Sequence, residues 1–353
     1  MQQLQLLNTP IFIGDDALPE LRKQLAHLKH VFILTDVNTL RKCLPVLEKF
    51  LPEQIELHTL AITPGEEQKN MNTAIRLWKQ MMQLNVTRDD MLINLGGGVV
   101  SDMGAFVAAT FKRGISFINI PTSLLAMADA AIGNKAGVDF EDAKNMIGVF
   151  ANPKAVFIHP AFLQTLEQRH IKNGFAEIIK HGLIYQSGLW KELQTVSFNE
   201  IPNEQLITDA VKIKIAIVKD DPMEKGSRKI LNFGHTIGHA IESLSMLNDA
   251  RPLLHGEAIA VGMICESWLS NQKTGLPEKE LQTICNLILN HFPKYNITTL
   301  NYETLLQFIR QDKKNTSEQI RFSLLKSIGD CKHHVNCKED DIVAALNFYA
   351  ALE

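Results

Sequence analysis

Residues Met91-Leu-Ile-Asn94-Leu-Gly96-Gly97-Gly98-Val-Val-Ser-Asp102-Met-Gly104 read as a strand, a run of three glycines and the start of a helix. Glycine lets a backbone approach a pyrophosphate closely, and a helix N-terminus offers free N–H groups and the positive end of a dipole. The run is not Gly-x-Gly-x-x-Gly, so it departs in detail from the Rossmann fingerprint. A tight turn without a ligand is the other reading of three glycines.

On either side of this stretch, strands alternate with helices. Residues 10–14 read as a short strand, 18–28 as a helix and 31–36 as a buried parallel strand ending in Thr35-Asp36. Leu40 to Leu51 reads as one helix, Ile55 to Ala61 as a strand, Asn72 to Leu84 as a helix, and Ser116 to Ile120 and Val156 to Ile158 as strands. This alternation predicts a Rossmann-like α/β domain, a parallel sheet with helices on both faces. Its ligands bind at the carboxyl ends of the strands. Asp36 and Asn38 fall at one such end, where Asp36 suits a ribose hydroxyl or a helix cap. Pro64-Gly65-Glu66-Glu67-Gln68-Lys69 falls at another and also reads as an acidic helix start. Pro121-Thr122-Ser123 falls at a third. Asp129 sits in an Ala/Leu/Met helix, where a carboxylate is costly unless paired or used. Lys135 and Lys144-Asn145 are placed in loops.

The 353 residues exceed one typical domain, and a hydrophobic fraction of 45% is ample for two cores. A net charge of −3 gives no electrostatic case for nucleic acid or an anionic membrane. The five cysteines form no Cys-x-x-Cys pair and read as reduced thiols of a cytoplasmic protein. The start has neither a basic n-region nor an apolar h-region, so no signal peptide is expected. No apolar run reaches membrane-span length.

After Pro160 the alternation stops and helix follows helix, which places a domain boundary near residue 160: 1–160 α/β, 161–353 all-α. Within Arg228 to Ser245, read as one helix, His235-Thr-Ile-Gly-His239 puts two histidines on one face, one turn apart. His255 opens a further helix. A helical pair plus a distant histidine can hold a divalent ion, and catalytic zinc takes three protein ligands with one position open. Capping or surface histidines are the alternative. Glu177, Lys180 and His181 share a helical face, and Lys214, Asp221, Glu224 and Arg228 add charge towards the histidines. Such a metal ringed by cations suits a polyanionic, sugar-like substrate. Cys331-Lys-His-His-Val-Asn-Cys337 reads as a strand; a zinc knuckle is the other reading, at an unusual spacing.

Nine stretches occur here in the order found in 3-dehydroquinate synthases. They are Gly-Gly-Gly-Val-Val-Ser-Asp, Phe-Lys-Arg-Gly, Pro-Thr-Ser-Leu-Leu-Ala, Asp-x-x-Ile-Gly-x-Lys, Lys-Asn-x-Ile-Gly, Ala-Glu-Ile-Ile-Lys, Asp-Pro-x-Glu-x-Gly-x-Arg, Leu-Asn-Phe-Gly-His-Thr-x-Gly-His and Leu-His-Gly-Glu. The chain resembles that family from about Asp36 to Gly329. The resemblance implies an NAD-binding α/β domain, a helical domain with the active site in the cleft, and a homodimer. It also implies conversion of 3-deoxy-D-arabino-heptulosonate 7-phosphate to 3-dehydroquinate and phosphate, in the shikimate pathway.

Residue by residue, the resemblance implies zinc or cobalt on Glu177, His235 and His255. It implies NAD on Asp36, Asn38, Glu66, Lys69, Gly97, Gly98, Asp102, Thr122 and Ser123. The substrate carboxylate falls to Lys214 and Arg228, its hydroxyls to Asp129, Lys180, Glu224 and Asn232, and its phosphate to Lys135, Asn145 and Lys314 (or Lys313), with Arg113 supplied by the partner subunit. His239 assists proton transfer. The chain departs from the family in having Gly133-Asn134-Lys135-Ala136-Gly137 for the usual Gly-Gly-Lys-Thr-Gly, and Ala130-Ala131 for Ser-Ser. Other readings are a cyclase making a valiolone or inosose ring, a metal-dependent polyol dehydrogenase, and an inactive NAD-binding scaffold.

Overall fold

The computed structural model describes residues 1–141, 143–186, 188–297, 302–311 and 320–352. The chain divides into two compact units, one of Met1–Glu167 with Asn203–Met223, the other of Gln168–Pro202 with Glu224–Glu353.

The first unit contains strands β1 (Gln2–Leu6), β2 (Thr9–Ile13), β3 (His30–Asp36), β4 (Glu56–Ile62), β5 (Met91–Gly96), β6 (Ser116–Pro121), β7 (Lys135–Phe140), β8 (Ala143–Phe150) and β9 (Val156–Ile158). Seven form one sheet in the order β1-β2-β9-β6-β5-β3-β4, parallel except for the antiparallel β1–β2 pair. Every residue of β5 is buried, which explains its unbroken apolar text. The register pairs Thr35 with Leu95 and Gly96 with Pro121, so β3, β5 and β6 end level. Phe32, Leu34, Leu60, Leu92 and Val100 lie in one core with Leu77 and Met81 of the helix Met71–Gln83 and Phe106 of the helix Gly98–Thr110.

The expected helix from Leu40 to Leu51 is two helices, Val37–Lys42 and Leu44–Glu48, separated at Cys43. Pro45 opens the second; it has no N–H to continue the first ladder. The loops expected at Lys135 and Lys144 are instead a hairpin of β7 and β8; β7 buries Ala136, Gly137 and Val138 in succession, so it shows no strict alternation. The helix Glu204–Asp220 belongs to the first unit, where it packs against β1 and the turn Ala126–Ala130.

The second unit is built from helices Gln168–Ile184, Leu189–Leu193, His235–Asn248, His255–Thr274, Glu278–His291, Tyr302–Gln311 and Glu339–Ala351. It is mainly helical, as expected, and carries a hairpin besides the helices. Strands β10 (Ile320–Ser327) and β11 (Asp330–Cys337) form an antiparallel hairpin. Cys331 to Cys337 is therefore a strand, its side chains alternating in exposure along β11. The single helix expected from Arg228 to Ser245 is also two pieces, a 3-10 helix Ser227–Asn232 and the helix starting at His235. Gly234 between them has φ 78°, a conformation that favours glycine.

Candidate active site: a glycine turn and a metal centre

In the first unit the level ends of β3, β5 and β6 collect the residues expected at a nucleotide. Asp36 is the N-cap of the helix Val37–Lys42: Oδ1 accepts the N–H of Asn38 at 2.8 Å and of Thr39 at 3.1 Å. The cap reading of Asp36 therefore holds, and Oδ2 accepts the Thr39 hydroxyl at 2.8 Å. Asn38 is exposed.

Gly97 is the N-cap of the helix Gly98–Thr110 and supplies no side chain, so the first N–H groups of that helix have no side-chain cap. The Thr122 N–H donates to the Gly96 carbonyl at 2.9 Å, tying the end of β6 to the glycine turn. A Cβ on Gly97 would lie 3.3 Å from Ser123 Oγ, so the turn and Ser123 are immediate neighbours.

Lys69 is buried, and its ammonium contacts Asp102 at 2.5 Å. Burial works to lower the Lys69 ammonium, but Asp102, Glu66 and Asp139 outweigh it and hold it above the usual lysine range. Lys144 lies 3.8 Å from Glu66, and Asn145, in the left-handed region at φ 52°, donates its N–H to Asp139 at 2.6 Å. Lys135 is exposed at the start of β7. Arg113 is exposed at φ 71°. Asp129, expected in a continuous helix, sits in the short π turn Ala126–Ala130, where it pairs with Lys214 at 2.7 Å.

In the second unit, Glu177 and Lys180 lie one turn apart on Gln168–Ile184, each 2% or less exposed, and form an ion pair. Nε2 of His235 and Nε2 of His255 each lie 3.4 Å from Glu177 Oε1. His239 stacks edge-on to His235 with ring centroids 5.1 Å apart, and one nitrogen from each of His235, His239 and His255 lies within 4.8 Å of the others. Burial pushes the Glu177 carboxyl up, but Lys180 and His235 more than offset it and hold it well below the usual carboxylate range. Burial and Lys180 lower the His235 imidazole. Burial acts the same way on His255, but Glu242 and Glu177 prevail and push it up to about 9.

These donors fit a divalent ion. Tetrahedral zinc with bonds of about 2.0–2.1 Å keeps its ligand atoms about 3.3 Å apart. Glu177 Oε1 keeps that separation from both Nε2 atoms, longer than an ordinary hydrogen bond. The other ring nitrogens face acceptors, His235 Nδ1 the Phe233 carbonyl at 3.0 Å and His255 Nδ1 Glu242 at 3.2 Å. This orients Nε2 of both rings towards the site.

Arg228 is 1% exposed on the 3-10 helix. Asn232 donates to Glu224 Oε1 at 3.2 Å, and Glu224 has φ 55°. Lys313 and Lys314 lie outside the described residues.

Sequence reasoning missed the supports of the centre. Glu242 stands one turn after His239, a carboxylate in apolar text, and that was the available signal. A Cβ on Gly256 would collide with the Asn173 carbonyl; the contact brings the helices of Glu177 and His255 together. Glu257 accepts the Leu254 N–H at 2.8 Å and pairs with Arg169, fixing the start of the His255 helix.

The chain is similar to known proteins over nearly all of its length. The family described as 3-dehydroquinate synthase N-terminal matches residues 59–173, and 3-dehydroquinate synthase C-terminal matches residues 174–315. A 3-dehydroquinate synthase of Parabacteroides distasonis is 40% identical over 346 residues, covering 96% of this chain and 97% of that protein. One of Clostridium acetobutylicum is 38% identical over 328 residues, 91% of each. Among solved structures, a 2-epi-5-epi-valiolone synthase of Streptomyces hygroscopicus with NAD+ and Zn2+ bound superimposes with a TM-score of 0.84 at 25% identity, covering 99% of both chains. A 2-deoxy-scyllo-inosose synthase shares the fold at a TM-score of 0.85 and 22% identity, covering 98% of this chain and 99% of that one. Two family matches that meet at residue 173, and relatives of this identity over whole chains, place the protein: it belongs to the 3-dehydroquinate synthase family.

Proposed function

We infer that this chain converts 3-deoxy-D-arabino-heptulosonate 7-phosphate to 3-dehydroquinate and phosphate, with residues 1–160 serving the nucleotide and 161–353 the metal. The observation that carries this is the Glu177 carboxylate set 3.4 Å from two imidazole Nε2 atoms, in a chain up to 40% identical to named 3-dehydroquinate synthases. When bound, NAD and a divalent zinc or cobalt ion supply reversible hydride removal at a ring alcohol and polarisation of its oxygen.

The chain's own residues have the following parts. Glu177, His235 and His255 hold the ion, with Glu242 and the Phe233 carbonyl orienting the two rings. Lys180, buried against Glu177, keeps a positive charge beside the centre for a substrate hydroxyl. His239 lies among the ligands with a nitrogen to carry a proton. The buried guanidinium of Arg228 takes a carboxylate in two parallel bonds. Asn232 and Glu224, already hydrogen-bonded, take hydroxyls.

In the first unit, the uncapped N–H groups after Gly97 take the pyrophosphate, with Gly98, Thr122 and Ser123 around them. Asp36 and Asn38 take a ribose, and Glu66 and the Lys69–Asp102 pair complete the nucleotide site. Lys135 and Asn145 on the hairpin take the phosphate end of the sugar, together with Lys314; the Asp129–Lys214 pair contributes further polar contacts. Arg113, exposed, serves a second copy in a homodimer. No helix among the described residues is long and apolar enough to cross a membrane, and a cytoplasmic enzyme is our reading.

The test is product identity. The purified protein is incubated with the heptulosonate phosphate and, separately, with sedoheptulose 7-phosphate and glucose 6-phosphate. The reading requires 3-dehydroquinate from the first. A valiolone or an inosose from the others, with no 3-dehydroquinate, would assign the chain to a related cyclase.

A further inference from the structure

A second group of metal-ligating side chains lies in the first unit, on the sheet. His30 opens β3, and Glu56 and His58 lie on the edge strand β4. The parallel register pairs His30 with Glu56 and Phe32 with His58. Side chains two apart on a strand share a face, so the ladder delivers all three groups to one face of the sheet. Glu56 stands between the rings, its Oε2 3.5 Å from His30 Nδ1 and its Oε1 3.3 Å from His58 Nε2. One ligand atom from each lies within 4.8 Å of the others. The donor set is that of Glu177 with His235 and His255, one carboxylate and two imidazole nitrogens, but here each carboxylate oxygen faces a different ring, where Glu177 turns Oε1 to both.

One of the two rings is held in place. His58 stacks on Phe32 with centroids 4.8 Å apart and planes 16° apart, and is only 22% exposed. Its nitrogen is held by the sheet core before any ligand arrives. Glu56 and His30 remain open to water at the edge, which leaves further coordination positions for water.

We propose that His30, Glu56 and His58 form a peripheral site for a divalent transition-metal ion, separate from the Glu177 centre. Two imidazoles and one carboxylate favour Zn2+, Ni2+ or Cu2+ over Mg2+ or Ca2+, which take all-oxygen sites.

The test uses the holoenzyme with its Glu177 centre already filled. Zinc is added by equilibrium dialysis up to about 100 µM, and bound metal per chain is counted. The expected result is a second equivalent in the wild type. It is lost in His58→Phe, which keeps an aromatic ring against Phe32, and in Glu56→Gln, with turnover unchanged in both. Loss of a group that only orients a ligand costs about 10–100-fold in affinity, so loss of a ligand itself should cost at least as much. A wild-type chain that stops at one equivalent overturns the proposal, as does a second equivalent that persists undiminished in both variants.

Discussion

Glu266 accepts the backbone N–H of Gly234 at 2.7 Å and, with its other oxygen, that of Ile237 at 3.1 Å. It is fully buried on the helix His255–Thr274, and it caps the start of the helix whose first residue is His235. A carboxylate at a helix N-terminus satisfies free donors and meets the positive end of the dipole. It thereby positions one proposed ligand from the helix of another. Glu266→Gln keeps the shape but puts an NH2 against one of the two N–H groups. The expected outcome is a loss of about 1–3 kcal/mol in stability, a lower melting temperature and weaker metal binding, with the Michaelis constant for NAD unchanged. Wild-type metal affinity in this variant would show that Glu266 supports the fold alone.

Alanine at Glu177, His235 or His255 should abolish stoichiometric zinc and turnover, because each removes one of three donors. Glu242→Ala should be milder, about 10–100-fold in metal affinity, since it leaves the His255 ring present but unoriented. Metal analysis after dialysis checks both, and a His255→Ala protein with full zinc and full turnover contradicts the ligand set.

Gly97→Val should weaken NAD by placing a side chain beside Ser123, where the backbone has to meet a pyrophosphate. Asp102→Asn should also weaken NAD and leave the chain folded, because Glu66 and Asp139 remain near the buried Lys69 ammonium. Calorimetric titration with NAD reads both, and unchanged affinity in the two variants would move the nucleotide elsewhere.

The strands of the first unit were legible because buried parallel strands leave unbroken apolar runs between helical periods, as at Met91–Gly96. The site was legible as far as side chains carry chemistry: the histidine pair, His255, Glu177 and the glycine turn. What the sequence hid depends on partners distant in the chain. The break at Gly234 needs Glu266, 32 residues on. The close approach at Gly256 needs the backbone of Asn173. Helical periodicity gives the helix Glu204–Asp220 an apolar face but does not say that the face meets β1 and the Asp129 turn. The strand at Cys331–Cys337 was legible although β11 is mostly polar and alternates at an exposed surface, but its antiparallel pairing with β10 was not.

His291 stacks on Phe198 at 3.9 Å, and burial, then Lys172, lowers its imidazole from the usual 6.5. The folded state thus binds the proton less readily than the unfolded one. This contribution to stability is complete above pH 6.5 and is lost as the pH falls from there towards the lowered folded value. His291→Phe keeps the stack and removes the titration. Melting temperatures should therefore fall more steeply below pH 6.5 in the wild type than in the variant, and parallel curves would remove His291 from the acid response.

The proposed reaction is a redox-neutral elimination that releases phosphate with no net oxidation of the sugar. A dehydrogenase has little use for Lys135, Lys180, Lys214 and Arg228 together, whereas a substrate with a carboxylate at one end and a phosphate at the other uses such cations. The most direct measurement supplies the heptulosonate phosphate with substoichiometric NAD and follows inorganic phosphate and NADH absorbance in one cuvette. Phosphate should be released through many turnovers while NADH stays near zero. NADH accumulating one for one with substrate, with phosphate still on the sugar, would contradict it.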